Sequence, residues 1–456
     1  MGGRLILDVS SLARWTGPPV GIARVEHALA RRALRRPGTL LSFFDRAEGR
    51  FRSLKPEWAE LVTGWLGAVD TGGEGRARSG WRALVPSRQP VVSWLERRRL
   101  LTRSPLLAGL ADGLQRAILA PRRHGTPLRD AGGRRIAHVP ADLALGEAVV
   151  PGPGDVLLSA GSDWFHLDAA QLGEMKRRHG FRYATLCYDL IPATHPQFFR
   201  KEDVRLVRDH WRRVLPLADL VVVNARCIAA DLGRFCQDAG LPEPATAVLP
   251  LGFDPPPPGP AAAPLPAGLR AGHYALFVST IEPRKGHALL LRAWRNLLRR
   301  GLPQRRGFQL VFVGRPGWMV EEVLQQLADP APWDGSLLHL SGVAEAELDA
   351  LYDGAAFCLY PSRYEGFGLP VIEAFARGKP VLASTGGAVP ETVGGLAPCL
   401  DPEDAGAWEA ALAEWIEHPA SRDSVAVGIR AGFAHPDWDT AAAAILEAAA
   451  ALTRRG

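Results

Sequence analysis

The chain has 456 residues, 47% of them apolar and 22% charged, with a formal net charge of +6. That is ordinary for a soluble globular protein and gives room for two or three domains, each able to bury a core. The basic side chains are nearly all arginine, which suits an anionic substrate or surface without requiring either, and nothing in the pattern points to nucleic acid. The five cysteines (187, 227, 236, 358 and 399) are odd in number, scattered and mostly within apolar runs. They read as buried thiols of a reducing compartment, not as a disulfide or zinc framework. No apolar run reaches the roughly 18–20 residues of a membrane span. The chain opens as Met1-Gly-Gly-Arg-Leu-Ile-Leu-Asp8, which reads straight into a strand, so no signal peptide is expected. The expected location is the cytoplasm.

Residues 5–9 predict the first strand, followed by a glycine-containing loop and a helix over about 22–34. Strand, loop and helix open a doubly wound α/β domain. Gly17 and Gly21 do not form a G-x-G-x-x-G fingerprint, so dinucleotide binding gains little support. Residues 48–150 lack the alternation of strand and helix and read as an insertion. Within it, 94–119 mixes arginine clusters with leucine at helical spacing. Such a segment fits peripheral contact with the inner face of a membrane, or equally a pair of core-facing helices with solvated arginines. Alternation resumes with strands at 155–159, 183–187, 220–224 and 246–249, and helices at 168–177, 202–215 and 228–238. The loop Tyr188-Asp-Leu-Ile-Pro-Ala-Thr-His195 puts Asp189 and His195 at the carboxyl end of a strand, where open α/β sheets bind ligands. His195, just before Pro196, also fits a plain turn.

The proline tract over 255–266 has no hydrogen-bonding pattern for a fold and reads as a semi-rigid linker. The expected division is therefore 1–254, a linker at 255–268, a second α/β domain at 269–435 and a closing helix in 436–456. Strands in the second domain are expected at 274–278, 310–313, 337–340, 355–359 and 380–383. An Ala-rich helix over 440–452 ends the chain, with Trp438 placed to staple it to the body. Asp437-Trp-Asp439 spells D-x-D, a metal-binding pattern. It precedes a helix where a nucleotide-binding strand would be needed, so Asp439 reads as an N-cap and no metal is expected.

Two loops carry the chemistry. Ser279-Thr-Ile-Glu-Pro-Arg-Lys-Gly286 follows the first strand of the second domain, so Arg284 and Lys285 project toward an interdomain cleft. Pro361-Ser-Arg-Tyr-Glu-Gly-Phe-Gly-Leu-Pro-Val-Ile-Glu-Ala-Phe375 runs from a buried strand through a glycine loop into a helix. Gly366 and Gly368 have no Cβ to block a ligand. Pro370 suits the first helical turn, and the N–H groups around Phe367 to Leu369 face an anion such as a diphosphate. Glu365 and Glu373 would repel that anion, so they suit sugar or ribose hydroxyls on either side of it.

At these residues the chain resembles the family 4 glycosyltransferases, whose E-x7-E motif is matched in spacing by Glu365 and Glu373. The resemblance extends to Arg14-Trp-Thr-Gly-Pro-Pro-Val-Gly-Ile-Ala-Arg-Val-Glu26, which is similar to the N-terminal loop of bacterial mannosyl- and rhamnosyltransferases of that family. It includes Asp189-Leu-Ile-Pro192, with Tyr188 where many relatives have His, and Leu249-Pro-Leu-Gly-Phe-Asp254. It is strongest from Tyr274 to Asp401 and weakest in the insertion. It implies the GT-B fold: two Rossmann-like doubly wound domains facing across a cleft, with a C-terminal helix packing back.

The resemblance further implies a retaining hexosyltransferase that uses a nucleotide-diphosphate sugar, with GDP-mannose favoured, and no separate cofactor. The acceptor would be a glycan or a lipid-linked oligosaccharide. Lys285, Arg284 and Glu365 would act in catalysis. Glu373 would hold the ribose, with Gly366, Phe367, Gly368, Leu369, Gly21 and Thr280 lining the donor. Asp189 and His195 would lie on the acceptor side. Thr280 stands where the family places an arginine, and Arg284 replaces that charge from a neighbouring position. A catalytically inactive partner subunit and a nucleotide-sugar epimerase are the competing classes.

Overall fold

The structure is a computed structural model that describes residues 3–14, 21–45, 49–55, 59, 128–129, 135–136, 145–255 and 263–454. The arginine- and leucine-rich segment 94–119, Gly17 and most of the proline tract lie outside the described residues.

Two sheets organise the molecule. The first has eight strands: β1 (Leu5–Asp8), β2 (Thr39–Asp45), β3 (Arg50–Leu54), β6 (Leu145–Val149), β7 (Val156–Ser159), β8 (Arg182–Cys187), β9 (Leu220–Val223) and β10 (Thr246–Val248). A separate two-stranded ladder joins β4 (Leu128–Arg129) and β5 (Arg135–Ile136). The order in the first sheet is β10-β9-β8-β7-β1-β2-β3-β6, with β3 and β6 antiparallel additions at one edge. The central strands are apolar runs buried along their whole length, as parallel strands covered on both faces require. Helices α1 (Ser10–Arg14), α2 (Ile22–Leu34), α3 (Ala169–His179), α4 (Lys201–Val214) and α5 (Arg226–Ala239) connect these strands.

The reading of 48–150 as a plain insertion is corrected at both ends. β3 and β6 are integral to the first sheet and pair with each other from Phe51↔Val149 to Leu54↔Leu145. Their pattern is short and broken by Arg50, Arg52 and Glu147, because only one face of this edge is buried.

The second sheet is wholly parallel, in the order β13-β12-β11-β14-β15-β16. Its strands are β11 (Tyr274–Val278), β12 (Gln309–Val313), β13 (Leu337–Leu340), β14 (Phe357–Tyr360), β15 (Val381–Ser384) and β16 (Cys399–Leu400). Helices α6 (His287–Arg299), α7 (Leu369–Ala376) and α8 (Ala405–Glu417) pack around it, and Trp294, Phe312, Phe357 and Trp408 are fully buried in its core.

The last helix, α9 (Trp438–Ala450), returns to the first sheet. Its Ala442, Ile445, Leu446 and Ala449 share one core cluster with Leu12, Val25 and Leu29. The chain crosses back beside its outgoing segment, where Phe253 N donates to Pro436 O and Leu251 O bonds His435 Nε2 at 2.7 Å. Trp438 packs on the same cluster, as a staple should. The helix cap differs from expectation. Asp437 is the N-cap and accepts from Thr440 N at 2.7 Å, while Asp439 sits inside the first turn, ion-paired to Arg32 and Arg35. A capping side chain must precede the turn whose N–H groups it meets, and Asp437 is the residue that does.

Candidate active site

In each sheet the strand order reverses beside its first strand, and the crevice at the carboxyl ends there is where such folds bind ligands. In the second sheet this point lies between β11 and β14. The loop after β11 carries Arg284 and Lys285, and the loop after β14 carries Glu365. Topology thus brings together residues separated by 80 positions.

The contacts are tight. Lys285 Nζ donates to Glu365 Oε1 at 2.5 Å, and Arg284 Nη1 lies 2.7 Å from Glu365 Oε2 while also donating to Tyr364 O at 2.9 Å. The three side chains are only 14% (Arg284), 13% (Lys285) and 7% (Glu365) exposed. Glu282 flanks Arg284 on the other side at 3.2 Å. Burial alone would raise the Glu365 carboxyl, but Arg284 and Lys285 outweigh it and hold the group at about 2. Burial dominates at Glu282, which is raised in spite of the same two cations. The backbone is fitted to this pairing: Arg363 N donates to Arg284 O at 2.7 Å, and a Cβ on Gly286 would lie 2.4 Å from Pro361 O.

Asp189 faces the same cluster from the first domain. Its half-buried carboxylate accepts from Ile191 N at 3.1 Å, and burial raises it although Arg284 and Lys285 pull the other way. Gly366 is also closely packed against the first domain. A Cβ there would meet Tyr188 O at 2.6 Å and Asp189 Cβ at 2.9 Å, so its bareness lets the two domains' loops touch. Tyr188, at the position where relatives have His, is buried and donates to Ala160 O at 2.5 Å. His195 shares a hydrogen bond with Thr194 Oγ1 at 2.9 Å and lies 4.1 Å from the Tyr364 ring; burial lowers its pKa. Tyr364 in turn donates to Asp231 Oδ2 of α5 at 2.6 Å.

Gly368, at φ 118°, caps α7, a conformation only glycine adopts without strain, and Leu369 begins the helix. Phe367 packs between the first-domain core and His435. The methyl of Thr280 lies against Gly317. Gly21, at φ 52°, caps α2.

One turn along α7, Glu373 accepts from Tyr352 OH at 2.9 Å and pairs with Arg24 of α2 at 3.2 Å. Sequence reading passed over Arg24 and Tyr352. Arg24 lies three residues after Gly21 in the glycine loop's helix, and that adjacency was the one available signal. It also passed over Glu282 and the Tyr364–Asp231 contact. Neither aspartate of the D-x-D sequence is free, since one caps a helix and the other holds two arginines.

Residues 271–430 match the family model for Glycosyl transferases group 1. The chain carries a group 1 glycosyltransferase domain. That domain spans the second sheet and both loops of the ion-paired cluster. Relatives include O-antigen chain mannosyltransferase B of Escherichia coli, 36% identical over 150 residues, or 33% of this chain and 38% of that protein. The serotype-specific mannosyltransferase WbdA of Escherichia coli is 31% identical over 173 residues, 38% of this chain and 18% of that protein. The chain therefore spans well under half the length of these two relatives. A longer match, 29% identical over 335 residues, covers 68% of this chain and 83% of the GDP-mannose-dependent alpha-(1-6)-phosphatidylinositol monomannoside mannosyltransferase of Mycolicibacterium smegmatis.

Among solved structures, the sucrose-phosphate synthase of Thermosynechococcus elongatus aligns over 100% of both chains at a TM-score of 0.59 and 18% identity. Anabaena HepE, in complex with UDP and glucose, aligns over 98% of this chain and 100% of its own at 0.57 and 15%. The group 1 domain and the N-terminal domain together form the GT-B fold.

Proposed function

We propose that the protein is a retaining glycosyltransferase that moves mannose or a related hexose from a nucleotide-diphosphate sugar, GDP-mannose favoured, to a glycan or lipid-linked acceptor. The observation that carries this reading is the Arg284–Lys285–Glu365 cluster at the switch point of the group 1 domain, facing Asp189 across the cleft. Sugar transfer leaves growing negative charge on the departing diphosphate. Fixed cations whose contact strengthens as that charge develops lower the barrier; cations that bind substrate and transition state equally do not. Glu365 holds both cations at set positions, so little reorganisation is needed when charge builds. The N–H groups at the start of α7 add the positive end of a helix dipole. Arg284 and Lys285 supply at the diphosphate the charge that a metal supplies in D-x-D enzymes. Same-face attack by the acceptor hydroxyl would pass its proton to the departing phosphate oxygen and retain the anomeric configuration. The mannosyltransferase names of the relatives support the choice of sugar, and O-antigen synthesis supports a polysaccharide acceptor. No helix among the described residues is long and apolar enough to cross a membrane.

A nucleotide-sugar panel tests the reading. A donor should raise Tm with the logarithm of its concentration over its Kd, and nucleotide should be released only when an acceptor is present. Release without any acceptor dependence, or no response to any nucleotide sugar, would overturn it.

A further inference from the structure

The first sheet has its own switch point, between β1 and β7. Four ionisable side chains to which the proposed chemistry assigns no role converge there. Asp8 ends β1, Asp163 and His166 follow β7, and Glu26 faces inward from α2. Asp8, Glu26, Asp163 and His166 are all at most 3% exposed. Three carboxylates and one imidazole in a dry site carry a charge excess that must be met by protons or by a cation. Among the described residues, none of the three carboxylates is ion-paired to an arginine or lysine.

The geometry favours a cation. His166 Nε2 lies 3.7 Å from Asp8 Oδ2 and 3.5 Å from Asp163 Oδ1. Both separations are too long for hydrogen bonds. Ligand atoms around a tetrahedral ion with bonds of about 2.0–2.1 Å stand roughly 3.3–3.4 Å apart. Both separations come within a few tenths of an ångström of that spacing, and all three donor atoms lie within 4.8 Å of one another. Asp8 Oδ1 is occupied by Ser10 N and Oγ, which leaves Oδ2 turned to the imidazole without a hydrogen bond. Asp163 Oδ1 likewise accepts none. Glu26 adds a third buried carboxylate. It sits on the core-facing side of α2, close enough to Asp8 and Asp163 to feel their charge, with the backbone of Ser11 and Leu12 against it.

We propose that Asp8, Asp163 and His166 bind a divalent transition-metal ion, of which Zn²⁺ is the type, with Glu26 a neighbouring buried carboxylate outside the ligand set. The imidazole-plus-carboxylate donor set suits such an ion better than Mg²⁺ or Ca²⁺, which prefer oxygen alone. The ion would tie the end of β1 to the turn that follows β7. It lies in the other sheet from the Arg284–Lys285 pair, and the two sites stand or fall separately.

Metal content of the purified, dialysed full chain, measured by mass spectrometry, should approach about one transition-metal equivalent per chain. Chelation should lower Tm, and Zn²⁺, Mn²⁺ or Co²⁺ should restore it where Mg²⁺ does not. Co²⁺ added to the chelated protein should give visible bands of a four- or five-coordinate ion. His166→Gln and Asp163→Asn should each weaken that binding by ~10-fold or more. Wild-type protein that carries no metal and shows no Tm response to these ions overturns the proposal, whether or not the variants fold. Metal retained at full affinity in both variants overturns the assignment of ligands. Nucleotide-sugar binding, followed in parallel by thermal shift, reports on the proposed function independently.

Discussion

Lys285 is the residue on which the proposed chemistry leans most. Lys285→Ala should lower turnover by roughly 10²-fold, the scale of losing one preorganised charge contact, and wild-type turnover with saturating donor would remove it from the mechanism. The two glutamates should divide differently. Glu373, held by Arg24 and Tyr352 one turn into α7, is assigned to the ribose, which does not react. Glu373→Gln should therefore weaken nucleotide binding by about 1–3 kcal/mol. Glu365→Gln should fall mainly on single-turnover rate, because it leaves Arg284 and Lys285 without the carboxylate that positions them. The reverse pattern of binding and rate losses would show the roles to be exchanged. Glu365 also sets a pH signature. Its folded pKa, about 2, lies below the usual carboxylate value. The stability it contributes, on the order of 3 kcal/mol, is present above the unfolded pKa and is lost as pH falls through the folded one. The Tm gap between wild type and Glu365→Gln should close as pH drops from about 5 to about 2; a constant gap would mean that the carboxylate is not charged in the fold. The residue types of this site were legible because they lie in two short loops after apolar strands. Arg24 was not, since its partner is 349 positions away and only the folded sheets bring them together.

At the scale of elements, apolar strands announced themselves and edge strands did not. Leu220–Val223 and Tyr274–Val278 are continuous buried runs, and both were expected within a residue of where they lie. β3 and β6 carry charged residues on an open face, and their pairing is fixed by each other across the long segment between them, which no local pattern records. The glycine loop shows the same limit. Its glycines predict room for a ligand, and Gly366 also makes room for the backbone of the other domain, which local pattern does not record. A Cβ there would press on a carbonyl, which cannot swing aside as a flexible side chain would. Gly366→Ala should therefore push the two loops apart and misplace Asp189 relative to Lys285. A displacement near 1 Å at reacting groups is worth about 10²-fold in rate, so turnover should fall far more than Tm. Loss of Tm without loss of rate per folded molecule would assign Gly366 to stability alone.

At the scale of the whole molecule, the chain is closed by a helix that belongs in sequence to the second domain and in packing to the first. Leu446 is fully buried in that return contact, in one cluster with Leu12, Val25 and Leu29. Truncating it removes apolar contact and leaves a cavity, so Leu446→Ala should cost about 2–5 kcal/mol. The proposed chemistry draws on residues from both domains: Arg24 and Asp189 come from one, Arg284, Lys285, Glu365 and Glu373 from the other. The nucleotide, however, is assigned mainly to the second domain, with Gly21 the one donor-lining residue proposed from the first. If α9 serves to hold the two domains in register, Leu446→Ala should lower turnover and Tm while free-nucleotide affinity stays within about twofold of wild type, less than 0.5 kcal/mol. Isothermal titration with the nucleoside diphosphate, set beside single-turnover rates at a temperature where the variant is folded, separates the two quantities. A parallel fall in affinity and rate would mean that the return helix shapes the donor site itself, and the division of labour between the domains would have to be redrawn.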